Sequence, residues 1–313
     1  MLYYLFEYLD KLNVPGAGVF SYISFRSAAA VITSLFISLM IGKRIIQLLQ
    51  KKQAGEVVRD LGLEGQYRKQ GTPSMGGIII LASIIIPTLL FARLDNIYVI
   101  IMLITTLWLG LIGFIDDYIK IYRKNKEGLA GRFKILGQIV LGLVIGITLC
   151  FSDDVMITER INLSELTSGE RRELADSPVT VSPEREVIME RKSTKTTIPF
   201  VKNNEFNYSW LVAFINKDKR QTWTWIVYIL IIIFVLTAVS NGANITDGLD
   251  GMATGVSAII GTALGILAYV SSNIIYANYL KIMFIPGSEE LVIFASAFIG
   301  GTVGFLWYNS FPA

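Results

Sequence analysis

Ile97-Tyr-Val-Ile-Ile-Met-Leu-Ile-Thr-Thr-Leu-Trp-Leu-Gly-Leu-Ile-Gly-Phe-Ile115 contains no charged residue and runs straight into Asp116-Asp117. It exceeds the roughly 17 apolar residues that a helix needs to cross a bilayer core, so it reads as a membrane span with two carboxylates at its end. Further charge-free runs lie at 27–42, 75–92, 135–152, 223–240, 251–280 and 291–313. The run 27–42 is the shortest, but Arg26 and Lys43 bracket it, and their long stems can snorkel to the membrane surface. The fold expected is therefore all-α and polytopic, with seven transmembrane helices. Composition agrees: 53% hydrophobic residues, 17% charged residues and a mean hydropathy of +0.54 describe a chain solvated mainly by lipid.

The same composition removes whole classes of chemistry. With no histidine there is no Ser-His triad and no imidazole ligand, and the single Cys150, set in an apolar run as packing, rules out a cysteine metal cluster. Catalysis must rest on carboxylates, lysines or a metal. A formal charge of +3 is too small to argue for nucleic acid. Its distribution says more. Segment 43–74 carries Lys43, Arg44, Lys51, Lys52, Arg59, Arg68 and Lys69, and segment 116–134 carries Lys120, Arg123, Lys124, Lys126, Arg132 and Lys134. Basic residues in short connections mark the cytoplasmic side, which puts the amino terminus outside and 241–250 and the region of Asn309 inside. Glu7 and Asp10 argue against a signal peptide. The stretch 153–222, rich in Glu, Arg, Ser and Thr, is expected as an extracytoplasmic insertion between helices four and five of one polytopic domain spanning 1–313. It should be a solvated loop with a short docking helix near Tyr208–Ile215, and Trp223 and Trp225 should open an interfacial belt.

Three polar clusters remain, all assigned to the cytoplasmic face. Asp116-Asp117 closes a helix whose carboxyl terminus is itself partly negative, so the pair requires a cation. Lys120 supplies part, and a divalent ion bridging to a phosphate could supply the rest; an interfacial salt-bridge anchor is the plain alternative. In Asn241-Gly-Ala-Asn-Ile-Thr-Asp-Gly-Leu-Asp-Gly251, Asn241, Asn244, Asp247 and Asp250 recur every third residue among glycines, ahead of a helix beginning near Asp250. An N-cap role explains one of the four at most. Lys69-Gln-Gly-Thr-Pro-Ser-Met-Gly-Gly77 offers a lysine, two hydroxyls and backbone amides at a helix entry, a combination that suits a diphosphate as well as a simple turn. Taken together, these clusters describe phosphoryl transfer at a bilayer surface.

Gly71-Thr-Pro-Ser-Met-Gly-Gly77, Phe114-Ile-Asp-Asp-Tyr118, Asn241–Gly251 and Gly304-Phe-Leu-Trp-Tyr-Asn-Ser-Phe-Pro-Ala313 resemble, in this order, the phospho-N-acetylmuramoyl-pentapeptide transferase family. The resemblance implies transfer of phospho-MurNAc-pentapeptide from its UDP carrier to undecaprenyl phosphate with Mg2+, giving lipid I and UMP for the peptidoglycan cell wall. It implies a bacterial inner-membrane enzyme with a cytoplasmic active face, and it admits a homodimer. By position it assigns Asp116, Asp117 and Asp250 to catalysis, Asp116 as the base, with Asp116 and Asp117 serving the metal. Lys69, Ser74, Lys120, Asn244, Asp247 and Asn309 fall on positions that bind substrate.

The resemblance also implies about ten helices, a further metal-binding aspartate and a histidine-rich loop beyond Ala313, and a shorter connection in place of 153–222. On that reading the 313-residue chain is a truncated form, expected to be inactive as it stands. Two rivals are a sister GlcNAc-1-phosphate transferase and a membrane transporter. The transporter is disfavoured because the polar clusters sit at span ends and not at the midplane.

Overall fold

The computed structural model describes residues 1–51, 75–123, 128–162, 186–198 and 204–310. A charged helix, α1 (Leu2–Lys11), opens the chain, and helices then form where the charge-free runs lie: α2 (Ile23–Lys51), α3 (Gly77–Phe91), α4 (Ile97–Tyr122), α5 (Gly131–Phe151), α6 (Lys217–Thr246), α7 (Met252–Ser271), α8 (Ile274–Leu280) and α9 (Glu290–Asn309). Of these, α2, α4, α5, α6, α7 and α9 are long and apolar enough to cross a bilayer. α3 is apolar but has 15 residues, about 22 Å of helix against a hydrocarbon core of about 30 Å. Its run begins later than expected because Met75 sits at φ 73°, outside the helical region. The protein is thus a polytopic helical membrane protein, with six full-length spans and one short one among the described residues.

Two departures from the expected pattern have local causes. The run 251–280 breaks at Ser272-Asn273 into α7 and α8, because the Asn273 side chain accepts from the amides of Ile275 and Tyr276 and starts a new helix. Segment 153–222 is more than a solvated loop. Strand β1 (Ile157–Asn162) pairs antiparallel with β2 (Glu186–Arg191), and β3 (Lys195–Thr197) with β4 (Glu205–Asn207). A 3-10 turn follows at Tyr208–Val212, burying Tyr208 and Val212 while Trp210, Leu211 and Phe214 stay exposed. That one-sided apolar surface suits the membrane-surface docking expected for Tyr208–Ile215.

The centre of the bundle is α2, α3 and α9 packed through small residues. A Cβ on Gly300 would lie 2.5 Å from the Val31 carbonyl oxygen, and one on Gly304 would lie 2.6 Å from the Ser38 Cβ. The Ser34 hydroxyl donates to the Ala297 carbonyl at 2.6 Å. Between helices already in lipid, close backbone approach and dispersion replace the hydrophobic drive, which is why glycine and serine occupy this seam.

At the end nearer the amino terminus of α2 the seam closes on a charge pair. The Arg26 guanidinium grips the Glu290 carboxylate through two bonds of 2.9 and 2.7 Å, and it also donates to the Phe91 carbonyl at 3.1 Å. Arg93 N–H donates to the same carboxylate at 2.9 Å. Both charged side chains are 2% exposed, so Arg26 does not snorkel as expected; Lys43, at the far end of the run, is exposed. α1 covers the pair, placing the Tyr3 ring 4.7 Å from the Arg26 guanidinium carbon. The Tyr4 hydroxyl accepts from the Leu94 and Asp95 amides and donates to the Asp95 carboxylate at 2.6 Å. That bond, with Arg93 alongside, holds the Asp95 carboxyl below its ordinary range. Removing one partner of a buried pair strands the other charge. Glu290→Ala is expected to cost about 3–5 kcal/mol, read as a lowered unfolding midpoint in detergent, whereas Glu7→Ala at the exposed Lys11 pair should change it little.

Candidate active site

The site is assembled from helix ends. Asp116 and Asp117 lie on the last turns of α4, and Asp116 is the buried one. Its Oδ2 meets Lys120 Nζ at 2.9 Å, one helical turn on, and its Oδ1 meets Lys134 Nζ of α5 at 2.9 Å. The Leu129 amide donates to Oδ1 at 2.7 Å. Both carboxylate oxygens are therefore held by ammonium groups, one from its own helix and one from the next. The chain reaches this arrangement through Gly128, at φ 68°, where a Cβ would collide with Asp116 Oδ1 and lie 2.8 Å from Lys120 Cε. Glycine is required there on two counts, backbone conformation and space.

The second cluster is more helical than the sequence suggested. Asn241 and Asn244 are on the last turns of α6, Asp247 is its C-cap, and only Gly248–Gly251 form the turn. The Asn241 amide faces away into α5, donating to Gln138 Oε1 at 3.0 Å. Gly251, at φ 78°, is the N-cap of α7 and no side chain caps that helix, so Asp250 is not spent on capping. A Cβ on Gly251 would lie 3.2 Å from the Asn309 carbonyl oxygen, and Asn309 Nδ2 donates to Thr254 Oγ1 at 3.1 Å. These contacts draw the end of α9 over the start of α7.

A cavity of about 780 Å³ joins the clusters, and Asp116, Asp117, Lys120, Asn244, Asp247, Asp250 and Asn309 all line it. Met75, Gly76 and Gly77 form one wall; Lys69 and Ser74, also expected at the site, lie outside the described residues. Lys134 was read from sequence only as one of the basic residues that orient the chain. Its position one turn into α5, just after the glycine-containing stretch 128–131, was the available signal.

Four carboxylates, one lysine and two asparagines line the cavity. Anionic substrates entering it would need added positive charge, and the donors are hard oxygens, the preference of magnesium. Among the described residues no three acidic side chains converge to hold an ion alone. That fits a cation held by one or two carboxylates and completed by phosphate oxygens and water.

Fold and site together define a polytopic membrane protein with an acidic, amide-lined reaction cavity where its helix ends meet. Residues 69–81 match the phospho-N-acetylmuramoyl-pentapeptide-transferase signature 1, and residues 193–313 match glycosyl transferase family 4. The chain is 60% identical to a phospho-N-acetylmuramoyl-pentapeptide-transferase of Parabacteroides distasonis, over all of this chain and 72% of the relative. It is 53% identical to that of Flavobacterium psychrophilum, over 74% of the relative, and 56% identical to that of Bacteroides thetaiotaomicron, over 71%. The chain belongs to the phospho-N-acetylmuramoyl-pentapeptide-transferase family. These matches run through 153–222, so the insertion is shared with these relatives and does not set the chain apart.

Gly128→Ala combines backbone strain with the collision at Asp116 and should destabilise by about 1–3 kcal/mol. Gly131→Ala, whose Cβ would meet nothing within 4 Å, serves as the neutral comparison. Thermal unfolding of the two variants in detergent measures the difference.

Proposed function

We propose that this protein transfers phospho-MurNAc-pentapeptide from UDP-MurNAc-pentapeptide to undecaprenyl phosphate, forming lipid I and UMP, at the cytoplasmic face of a bacterial inner membrane. The observation that carries the reading is one cavity: Met75, Gly76, Gly77, Asp116, Asp117, Asn244, Asp247, Asp250 and Asn309, from separate motifs, line it together at the ends of α3, α4, α6, α7 and α9. Family membership supports the reaction, and the clustering of basic residues in the short connections supports the cytoplasmic orientation.

The reaction joins two anions. A phosphate oxygen of the lipid attacks the sugar-linked phosphorus of the nucleotide, a new P–O–P bond forms, and the bond to the bridging oxygen breaks, so that UMP leaves with that oxygen. A phosphate monoester loses its second proton near pH 6, so the nucleophile is ionised at neutral pH without a strong base. The base role assigned to Asp116 is then less pressing than its ordering of two lysines. With both oxygens engaged, it holds Lys120 and Lys134 in fixed places, and such fixed charges stabilise phosphoryl transfer without reorganising during the reaction. Asp117 and Asp247 are the carboxylates we assign to Mg2+, with Asp250 beside them. When bound, the ion would neutralise charge on the diphosphate. Asn244, Asn309 and the Gly76-Gly77 amides are assigned to the nucleotide and diphosphate, together with Lys69 and Ser74.

The test is UMP release from UDP-MurNAc-pentapeptide, with undecaprenyl phosphate and Mg2+ in detergent, by the protein prepared at the full length of its relatives. Turnover of UDP-GlcNAc in place of the pentapeptide substrate would move the assignment to the sister transferases, and no turnover of either would overturn it. Asp117→Asn should reduce UMP release about a hundredfold or more while membrane insertion is retained, because the change is isosteric and lies at a helix end. Orientation has its own check. A cysteine replacing exposed Arg132 should be protected from an impermeant thiol reagent added to intact cells, and one replacing exposed Asp153 should react. Equal reaction of both would reverse the cytoplasmic placement.

A further inference from the structure

α4 and α6 carry the two halves of the acidic site, yet between them lies an apolar groove of about 640 Å³, walled by Thr105 and Leu109 on one side and Ile232, Val239 and Ser240 on the other. What links them is α5. On the α4 side, Lys134 holds Asp116, and the Trp108 indole donates to the Gly137 carbonyl at 3.0 Å. On the α6 side, Gln138, one turn further along α5 and 5% exposed, makes two side-chain bonds. Its Nε2 donates to Ser240 Oγ at 3.0 Å, and its Oε1 accepts from Asn241 Nδ2 at 3.0 Å. Asn241 is anchored in turn, donating to the Thr237 carbonyl at 2.8 Å.

Residues four apart share a helix face. Lys134, Gln138, Gly142 and Gly146 therefore form one line along α5. Deeper in the bilayer this line is a bare seam: a Cβ on Gly142 would lie 3.0 Å from the Ile233 Cα, and one on Gly146 would lie 3.0 Å from Ile229 side-chain carbons. The glycines already bring the helices into contact. A glutamine is not needed for that, and in hydrocarbon it is costly unless paired. What apolar contact on isoleucines leaves loosely set is the rotation and axial register of one helix against the other. A paired amide specifies both.

We propose that Gln138 is a positioning residue: its paired hydrogen bonds to Ser240 and Asn241 set the register of α6 on α5, and so place Asn244 and Asp247 relative to the Asp116–Lys134 pair. The inference rests on the transferase reading above. The two halves of the site are referenced to adjacent turns of one rigid helix, about 6 Å apart along its axis. A displacement of about 1 Å at reacting groups costs on the order of a hundredfold in rate, so the pin acts on turnover more than on affinity.

The experiment uses Gln138→Leu, which keeps bulk and removes both bonds, and the exchange Gln138→Asn with Asn241→Gln, which keeps the combined reach. In the full-length enzyme, Gln138→Leu is expected to lower kcat at least tenfold with both KM values within about threefold, and the exchange is expected to recover most of that loss. In parallel, spin labels on Phe133→Cys and Ile245→Cys, both exposed positions, report the spacing of α5 and α6 in a Cys150→Ala background. The label distance should shift or broaden with Gln138→Leu and return with the exchange. Parent-like kcat in Gln138→Leu, an unaltered distance, or a loss that merely follows the fraction of unfolded protein would overturn the proposal. If the parent enzyme released no UMP, the transferase reading would fall instead, and the distance measurement would still decide whether Gln138 sets the register.

Discussion

A charge buried in hydrocarbon has no water to return to, and the architecture follows from where this chain can meet that condition. Arg26 and Glu290, 264 residues apart in sequence, meet it with a two-bond grip supplemented by the Phe91 carbonyl and the Arg93 amide. This pair ties α2, the end of α3 and the start of α9 at one level. With those three helices aligned, the small residues Ser34, Ser38, Gly300, Gly301 and Gly304 come into register along the rest of the seam. A one-turn slip would leave the guanidinium and the carboxylate without each other.

The two ends of the bundle treat charge in opposite ways. At the Arg26–Glu290 end, positive and negative groups neutralise each other and α1 seals them over. At the other end, Asp116, Asp117, Asp247, Asp250 and Lys120 line a cavity. A protein optimised only for stability would not leave Asp117, Asp247 and Asp250 lining one space. Carboxylates gathered at a cavity wall mark a candidate functional site.

The sequence disclosed the spans because absence of charge over a whole bilayer thickness is a local property, readable without any contact information. It also disclosed the site residues that occupy motifs. Asp116, Asp117, Lys120, Asn244, Asp247, Asp250 and Asn309 came from separate stretches, and all of the described ones line one cavity. What stayed hidden was pairing. Nothing local to Arg26 distinguishes a snorkelling arginine from one that finds Glu290, and nothing local to Lys134 distinguishes a charge that orients the chain from a partner of Asp116. Asn241 shares the three-residue spacing of its neighbours yet turns to α5, because on a helix a spacing of three drifts around the axis. The break at Asn273 was missed for another reason: capping by a single asparagine outweighs an apolar run that continues on both sides of it.

The short span of α3 bears on how a lipid reaches the cavity. One end of α3 is fixed level with Arg26 and Glu290, and the other stands beside Met75, Gly76 and Gly77 at the cavity, with a helix about 8 Å shorter than a full hydrocarbon thickness between them. A bilayer meets a short helix by thinning or by letting headgroups sink toward its end. A phospholipid arriving along this side would carry its headgroup downhill into a dimple while its chains remained in their own layer, and hydration would follow it in. The membrane itself would thereby become part of the path to the cavity.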